Sequence, residues 1–192
     1  MNYRTEQIRG AITRAALSTF CTRGYGVATL EEIGAQVGLT RAGVLHHFRS
    51  KGELLAAVVE PYRTALADLL SRARADDPPT QSQRHELLTS VTDLLLEHRA
   101  VLRLLANDVS ARVQLGLGDQ WPSPQGRLLS LLVGTKPTDL TQLRVTAALG
   151  AMIHPVTSLW LDLEDSGTRS ELVDVAAVII DGPRPAASVV SR

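Results

Sequence analysis

An all-α protein is the fold class the sequence predicts. It would have a three-helix N-terminal domain containing a helix-turn-helix and a larger helical C-terminal body, about nine helices in total. Three observations predict it. Aromatic residues make up only 4% of the 192 positions, while Leu, Ala and Val abound, a composition suited to helices packed through aliphatic side chains rather than to a sandwich or barrel. Apolar positions recur at i, i+3 and i+4 through most of the chain, and no stretch alternates as a strand would. Three helix-capping residues, Thr29, Thr40 and Ser50, fall within 22 positions, so the helices between them are short and tightly joined. These signals divide the chain into a helix-turn-helix unit over 1–50, a body over 51–182 and a frayed or disordered tail over 183–192.

The first helix spans Thr5 to Phe20, with Ile8, Ala11, Ile12, Ala15, Ala16, Thr19 and Phe20 on one stripe. Gly24 follows, suited to the left-handed residue that ends a helix. Thr29 stands three residues before Glu32, a capping box that opens a helix from Leu30 to Val37. Gly38 stops it. Thr40 caps the next helix, Arg41 to Phe48, with Leu39 and Val44 placed as a hydrophobic staple. Ser50 and Glu53 make a second capping box at the head of a long helix from Lys51 to about Ala75. Helices of two turns are not stable alone and persist only when packed on longer neighbours. The arrangement is a helix-turn-helix.

In the body, "DDPPTQSQ" breaks the pattern because Pro78 and Pro79 cannot continue a helix. A strongly periodic run then covers His85 to Asn107. "GLGDQWPSPQG" separates it from a short helix at Arg127 to Val133. After "GTKPTD", Thr138 or Thr141 opens a helix reaching about Leu163, which Pro155 should kink by removing a donor. The last helix runs from Arg169 to Asp181.

The formal net charge is zero, but it is unevenly spread. Residues 1–51 hold seven cations against three carboxylates, and the remainder thirteen against seventeen. A basic first quarter on an acidic body points toward a polyanion at one end. The single cysteine, Cys21, allows no internal disulfide and reads as a small buried filler. With no signal-type segment and no apolar run near the ~18 residues of a membrane span, a cytoplasmic location is expected. No metal-ligand spacing, nucleophile elbow or phosphate loop is present, and "GYGVATLEEIG" lacks the strand a dinucleotide loop needs. No catalytic residue, metal or cofactor is therefore expected.

A helix entering the major groove reads bases with side chains near its N-terminus, while caps and flanking cations hold phosphates. Arg41 opens the second short helix and can fork onto a guanine, although a solvated surface cation would look the same in sequence. Ala42 and Gly43 add no bulk there. Thr29 and Thr40 can cap, bind phosphate, or do both. Arg49 and Lys51 are candidates for the opposite backbone. His46 and His47, being adjacent, should face different ways, one toward solvent or DNA and one toward the core.

The stretch "GYGVATLEEIGAQVGLTRAGVLHHFRSKGELL" resembles the DNA-binding domain of the TetR family of bacterial regulators over roughly Thr5 to Leu55. Gly24-Tyr25, Thr29, Ile33, Gly38, Thr40, His47-Phe48 and Ser50-Lys51 carry the likeness. It implies a helical body that binds a small molecule and dimerises through the last two helices, about residues 142–181. The chain departs from the family pattern at Gly43 and Leu45, where a hydroxyl residue and a tyrosine that touch DNA are usual. Those contacts do not carry over. Gly34 also stands where alanine is common, which weakens the helix slightly but permits close packing. Polar or aromatic groups set among apolar helices nominate Arg103, Asn107, Trp121, Met152, His154 and Trp160 for the ligand, with His98 and Arg112 nearby. They suit a mostly apolar, uncharged or weakly acidic molecule. The expected function is a homodimeric repressor that binds near-palindromic double-stranded DNA and is released by an effector. An all-α enzyme and a dimeric adaptor that binds protein are the alternatives.

Overall fold

The computed structural model describes residues 3–74, 76–117, 126–158 and 166–182, and every regular element among them is helical. The predicted tail at 183–192, Trp121, Trp160 and the expected helix end at Leu163 lie outside the described residues.

Helix α1 (Tyr3–Arg23) buries Ile12, Ala15, Ala16, Thr19 and Phe20 along its predicted stripe. Gly24 ends it at φ +83°, a left-handed value that glycine adopts without a steric penalty. Helix α2 (Leu30–Gln36) begins with the Thr29–Glu32 capping box, both bonds present. Helix α3 (Arg41–His47) begins at Thr40, whose hydroxyl accepts from the Gly43 amide. Helix α4 (Lys51–Arg72) begins at Ser50, whose hydroxyl accepts from the Glu53 amide. The return bond of the expected second box differs. The Glu53 carboxylate accepts from the Arg49 amide at 2.8 Å, one residue farther back.

Ten helices are seen among the described residues where about nine were expected. The periodic run of the body is two helices, α5 (Gln81–Glu97) and α6 (Arg99–Asn107), because His98 leaves the helical basin at φ −103°, ψ 19°. Helix α5 starts four residues before the predicted point, at a Thr80–Gln83 capping box. Helix α7 (Val109–Gln114), capped by Asp108, is too short to show a period. Helix α8 (Gly126–Val133) precedes α9 (Asp139–Thr157), which Thr138 caps. Pro155 falls in the last turn of α9, so its missing donor affects only the helix end instead of kinking a longer helix. Helix α10 (Ser166–Asp181) closes the fold.

Helix α1 packs on α4, α2 and α6, while α10 lies across α9 and α5. Ion pairs Arg84–Asp181, at 2.9 Å, and Arg169–Asp93 fasten α10 to α5. Buried side chains of the N-terminal helices and of the body form one cluster, from Ile12 to Ile180. Helix α4 joins the two parts: its first turns carry Leu54 and Leu55, and its far end carries Leu70.

Candidate nucleic-acid interface and body cavity

The angle between α2 and α3 is set by backbone meeting backbone. A Cβ on Gly34 would lie 2.6 Å from the Leu39 carbonyl oxygen and 3.1 Å from Val44 Cγ2. Only a residue without one allows the Leu39 amide to reach the Gly34 carbonyl at 2.9 Å. Gly38 turns the chain at φ +69°. Val44 and Phe48 are fully buried and pin α3 from beneath. Its outer side then presents Arg41, Ala42 and His46 to solvent, with Gly43, Leu45 and His47 half-buried beside them.

Arg41 is exposed, and its Nε lies 3.3 Å from Glu31 Oε1 on α2. That pair runs through Nε, and the side chain stays largely open to solvent. Thr29 and Thr40 are exposed caps at two helix starts, where the first amides have no intrahelical partner. Arg49 is exposed at the α3–α4 turn. His46 is exposed and His47 half-buried, and their ring centroids lie 5.2 Å apart, edge to face. Partial burial, then the positive charges of His46 and Arg9, hold His47 below the ordinary histidine value, so it is neutral near pH 7.

Lys51 is turned away from the role expected of it. Its ammonium donates to the carbonyls of Tyr25 (2.7 Å), Ala28 (2.9 Å) and Gly26 (3.3 Å) and lies 4.6 Å from the Tyr25 ring centre. Three protons meet three carbonyls, so none remains for a phosphate. On the other side of the same turn, Asp108 Oδ2 accepts from the Tyr25 amide at 2.5 Å while Oδ1 caps α7 through the Ala111 amide. The α1–α2 turn is thereby held between the head of α4 and the α6–α7 junction. Arg9 performs a similar service for α3: it donates to the His47 carbonyl and stacks 4.1 Å over Phe48. Sequence periodicity shows Arg9 only as a cation off the apolar stripe.

Residues 12–58, the unit formed by α1 to the start of α4, match the family model described as bacterial regulatory proteins, tetR family. Over these residues the chain is similar to the TetR family. The HTH-type transcriptional regulator TtgR of Pseudomonas putida is 29% identical over 96 residues, covering 49% of this chain and 46% of that one. The HTH-type transcriptional repressor Rv3405c of Mycobacterium tuberculosis is 33% identical over 81 residues, 42% of this chain and 43% of its own. The chain thus spans about half the length of the curated relatives it matches. In fold the likeness extends further. A TetR-like transcriptional regulator from Rhodococcus sp. RHA1 superposes with a TM-score of 0.64 over 95% of this chain and 99% of that one, at 19% identity.

The departures from that family's pattern have visible geometry. A Cβ on Gly43 would meet Leu39 Cβ at 3.4 Å, an ordinary contact, so the site has room for the hydroxyl residue usual there. Leu45 packs half-buried against the core.

The helical body holds a cavity of about 650 Å³ between α4, α5, α8 and α9, with Leu105, Leu115 and Leu117 also among its lining residues. Its walls are aliphatic apart from Tyr62, Arg63 and Thr146, and no carboxylate lines it among the described residues. None of the residues nominated from sequence and described in the structure reaches it. Arg103 is half-buried on α6, near enough for its charge to act on the Cys21 thiol. Asn107 is exposed and bonds the Arg103 carbonyl at 2.9 Å. Met152 is buried in the core, His154 is exposed, and Arg112 closes the end of α6 through the Leu105 and Ala106 carbonyls. His98 sits behind the cavity wall, its ring 5.8 Å from that of Tyr62. The cavity is lined mainly by leucines and valines, which polarity-based searching passes over.

Proposed function

We propose that this chain is a dimeric DNA-binding transcriptional regulator, a repressor whose hold on its operator is relieved by a small molecule in the body cavity. The observation that carries the DNA part is the exposed face of α3. It offers an exposed arginine at its first position, small residues beside it and capped helix starts on either flank, held by a turn in which a side chain at Gly34 would crowd the Leu39 carbonyl. Such a face suits the major groove, with Arg41 on a guanine and Thr29, Thr40 and Arg49 at the phosphates. Relatives named as transcriptional regulators and repressors support the same reading. Effector relief is supported by the position of the cavity, six of whose lining residues belong to α4, the helix that begins at the DNA-binding unit. For the ligand to act, it must bind the DNA-competent and released states unequally.

No helix among the described residues is long and apolar enough to cross a membrane, which suits a cytoplasmic site of action. The experiment is a footprint of the protein on the DNA flanking its own coding region, followed by competition gel shifts at several salt concentrations. Operator binding should weaken steeply with salt, as phosphate contacts release counterions. Arg41→Ala should lower the preference for operator over random duplex by about 5- to 100-fold, the loss of one bidentate base contact, with a smaller change in random-duplex binding. Salt-insensitive binding or an unchanged preference would overturn the proposal.

A further inference from the structure

Arg63 stands at the rim of the cavity. It projects from α4 one position after Tyr62, and among the described residues it has neither an ion pair nor a hydrogen bond. The other cations of the body are mostly engaged: Arg84 and Arg169 hold carboxylates, and Arg112 and Arg127 bond carbonyls. Below Arg63 the walls are Leu, Val and Ile, and no carboxylate in the described lining opposes its charge. The other polar side chains in that lining are two hydroxyls. Thr146 is one; Tyr62 is the other, and burial raises its pKa so that it stays protonated. At the rim the guanidinium keeps its contact with water until an acidic group is placed against it. It then meets a carboxylate or sulfonate through two parallel bonds.

We infer that the cavity takes an amphipathic monoanion: an extended apolar body seated among the leucines and a single acidic headgroup held at the rim by Arg63. A cavity of about 650 Å³ lies mid-range for drug-sized ligands, roughly 300–1,000 Å³. A cationic ligand would meet Arg63 with nothing to offset it. A dianion would leave its second charge against aliphatic walls. This inference rests on the proposed role of the cavity as the effector site, and it adds the chemical class of the effector.

A matched pair of probes tests it on the full chain. 1-Anilinonaphthalene-8-sulfonate and N-phenyl-1-naphthylamine share one apolar skeleton, and only the first carries an anion. Fluorescence titration should show the sulfonate binding at least tenfold more weakly to Arg63→Gln, substantially restored in Arg63→Lys, while the uncharged probe changes less than twofold. Gly150→Leu projects a side chain from α9 into open space at the cavity wall and should weaken both probes. If Arg63→Gln leaves sulfonate binding unchanged while Gly150→Leu weakens both probes, the anion inference fails and the effector cavity stands. If Arg63→Gln weakens both probes equally, Arg63 serves the cavity wall and the inference likewise fails. If Gly150→Leu alters neither probe, or the wild type binds neither, the cavity is not the site, and the effector reading falls with the inference.

Discussion

Two glycines of the helix-turn-helix look alike in sequence and differ in what they permit. At Gly34 a methyl group would sit 2.6 Å from a backbone carbonyl that cannot rotate away. At Gly43 the nearest atoms belong to the Leu39 and Thr40 side chains, at 3.4 Å and beyond. Alanine in a helix is favoured over glycine by about 1 kcal/mol, but overpacking of this kind costs roughly 1–3 kcal/mol. Gly34→Ala should therefore lower stability by about 1 kcal/mol net, a few degrees in the melting midpoint for a chain of this length. Gly43→Ser should raise the midpoint slightly and strengthen duplex binding several-fold, because its hydroxyl enters the outer face of α3. Paired thermal melts and gel shifts check both, and a stabilised Gly34→Ala would show that α2 and α3 can part without loss. Sequence alone reveals the caps and the close approach that Gly34 permits, since both follow from local backbone rules. It does not reveal that Lys51 is consumed. A lysine at a helix start beside a serine cap looks like a phosphate ligand until the α1–α2 turn is seen folding its carbonyls onto it.

Helices with long, regular periods were legible; those set by a single tertiary contact were not. Helix α7 has only six residues, and its position follows from Asp108, which caps it with one oxygen and holds the Tyr25 amide with the other. Burial pushes the Asp108 carboxyl up, but bonds from the Ser110 hydroxyl and the Ala111, Tyr25 and Ser110 amides outweigh it and leave the group below its ordinary value. A carboxyl depressed on folding adds stability above its unfolded value and loses it as pH falls through the folded one. The clasp should thus remain closed through mildly acidic pH and open only below the ordinary carboxylate range. Asp108→Asn keeps a competent helix cap but can turn an amide N–H toward the Tyr25 N–H. Hydrogen exchange, corrected for intrinsic rates, should show the Tyr25 amide losing protection in Asp108→Asn while the α7 amides keep theirs. Equal loss in both places would mean that the aspartate only caps. The clasp lies between the cavity-lining Leu105 and Leu115 in sequence and bonds the α1–α2 turn, so on the proposed function its loss should also weaken the response of operator binding to a ligand in the cavity.

At the scale of the whole molecule, the cation excess and one group of exposed aliphatic side chains lie in different parts of the chain. The cation excess lies in the first 51 residues, while α9 and α10 carry exposed aliphatic side chains: Leu143 is 64% exposed and Val178 69%, with Leu140 and Val175 also open to solvent. Exposed aliphatic side chains on α9 and α10 suit the dimer proposed above. Two-fold pairing there would place the two basic units to read one duplex together, and a linked second contact multiplies affinity by roughly 10²–10⁴. Val178→Asp puts a charge on the exposed face of α10 without entering the core, where Val173, Ala176 and Ile180 keep their places. Its expected effect is a fall from dimer to monomer mass in light scattering, with operator affinity lost by a factor of that order and half-site affinity nearly unchanged. A wild type that is already monomeric at operator-binding concentrations would contradict the arrangement. So would a Val178→Asp monomer that holds the full operator as tightly as the parent, since one basic unit would then account for all the binding.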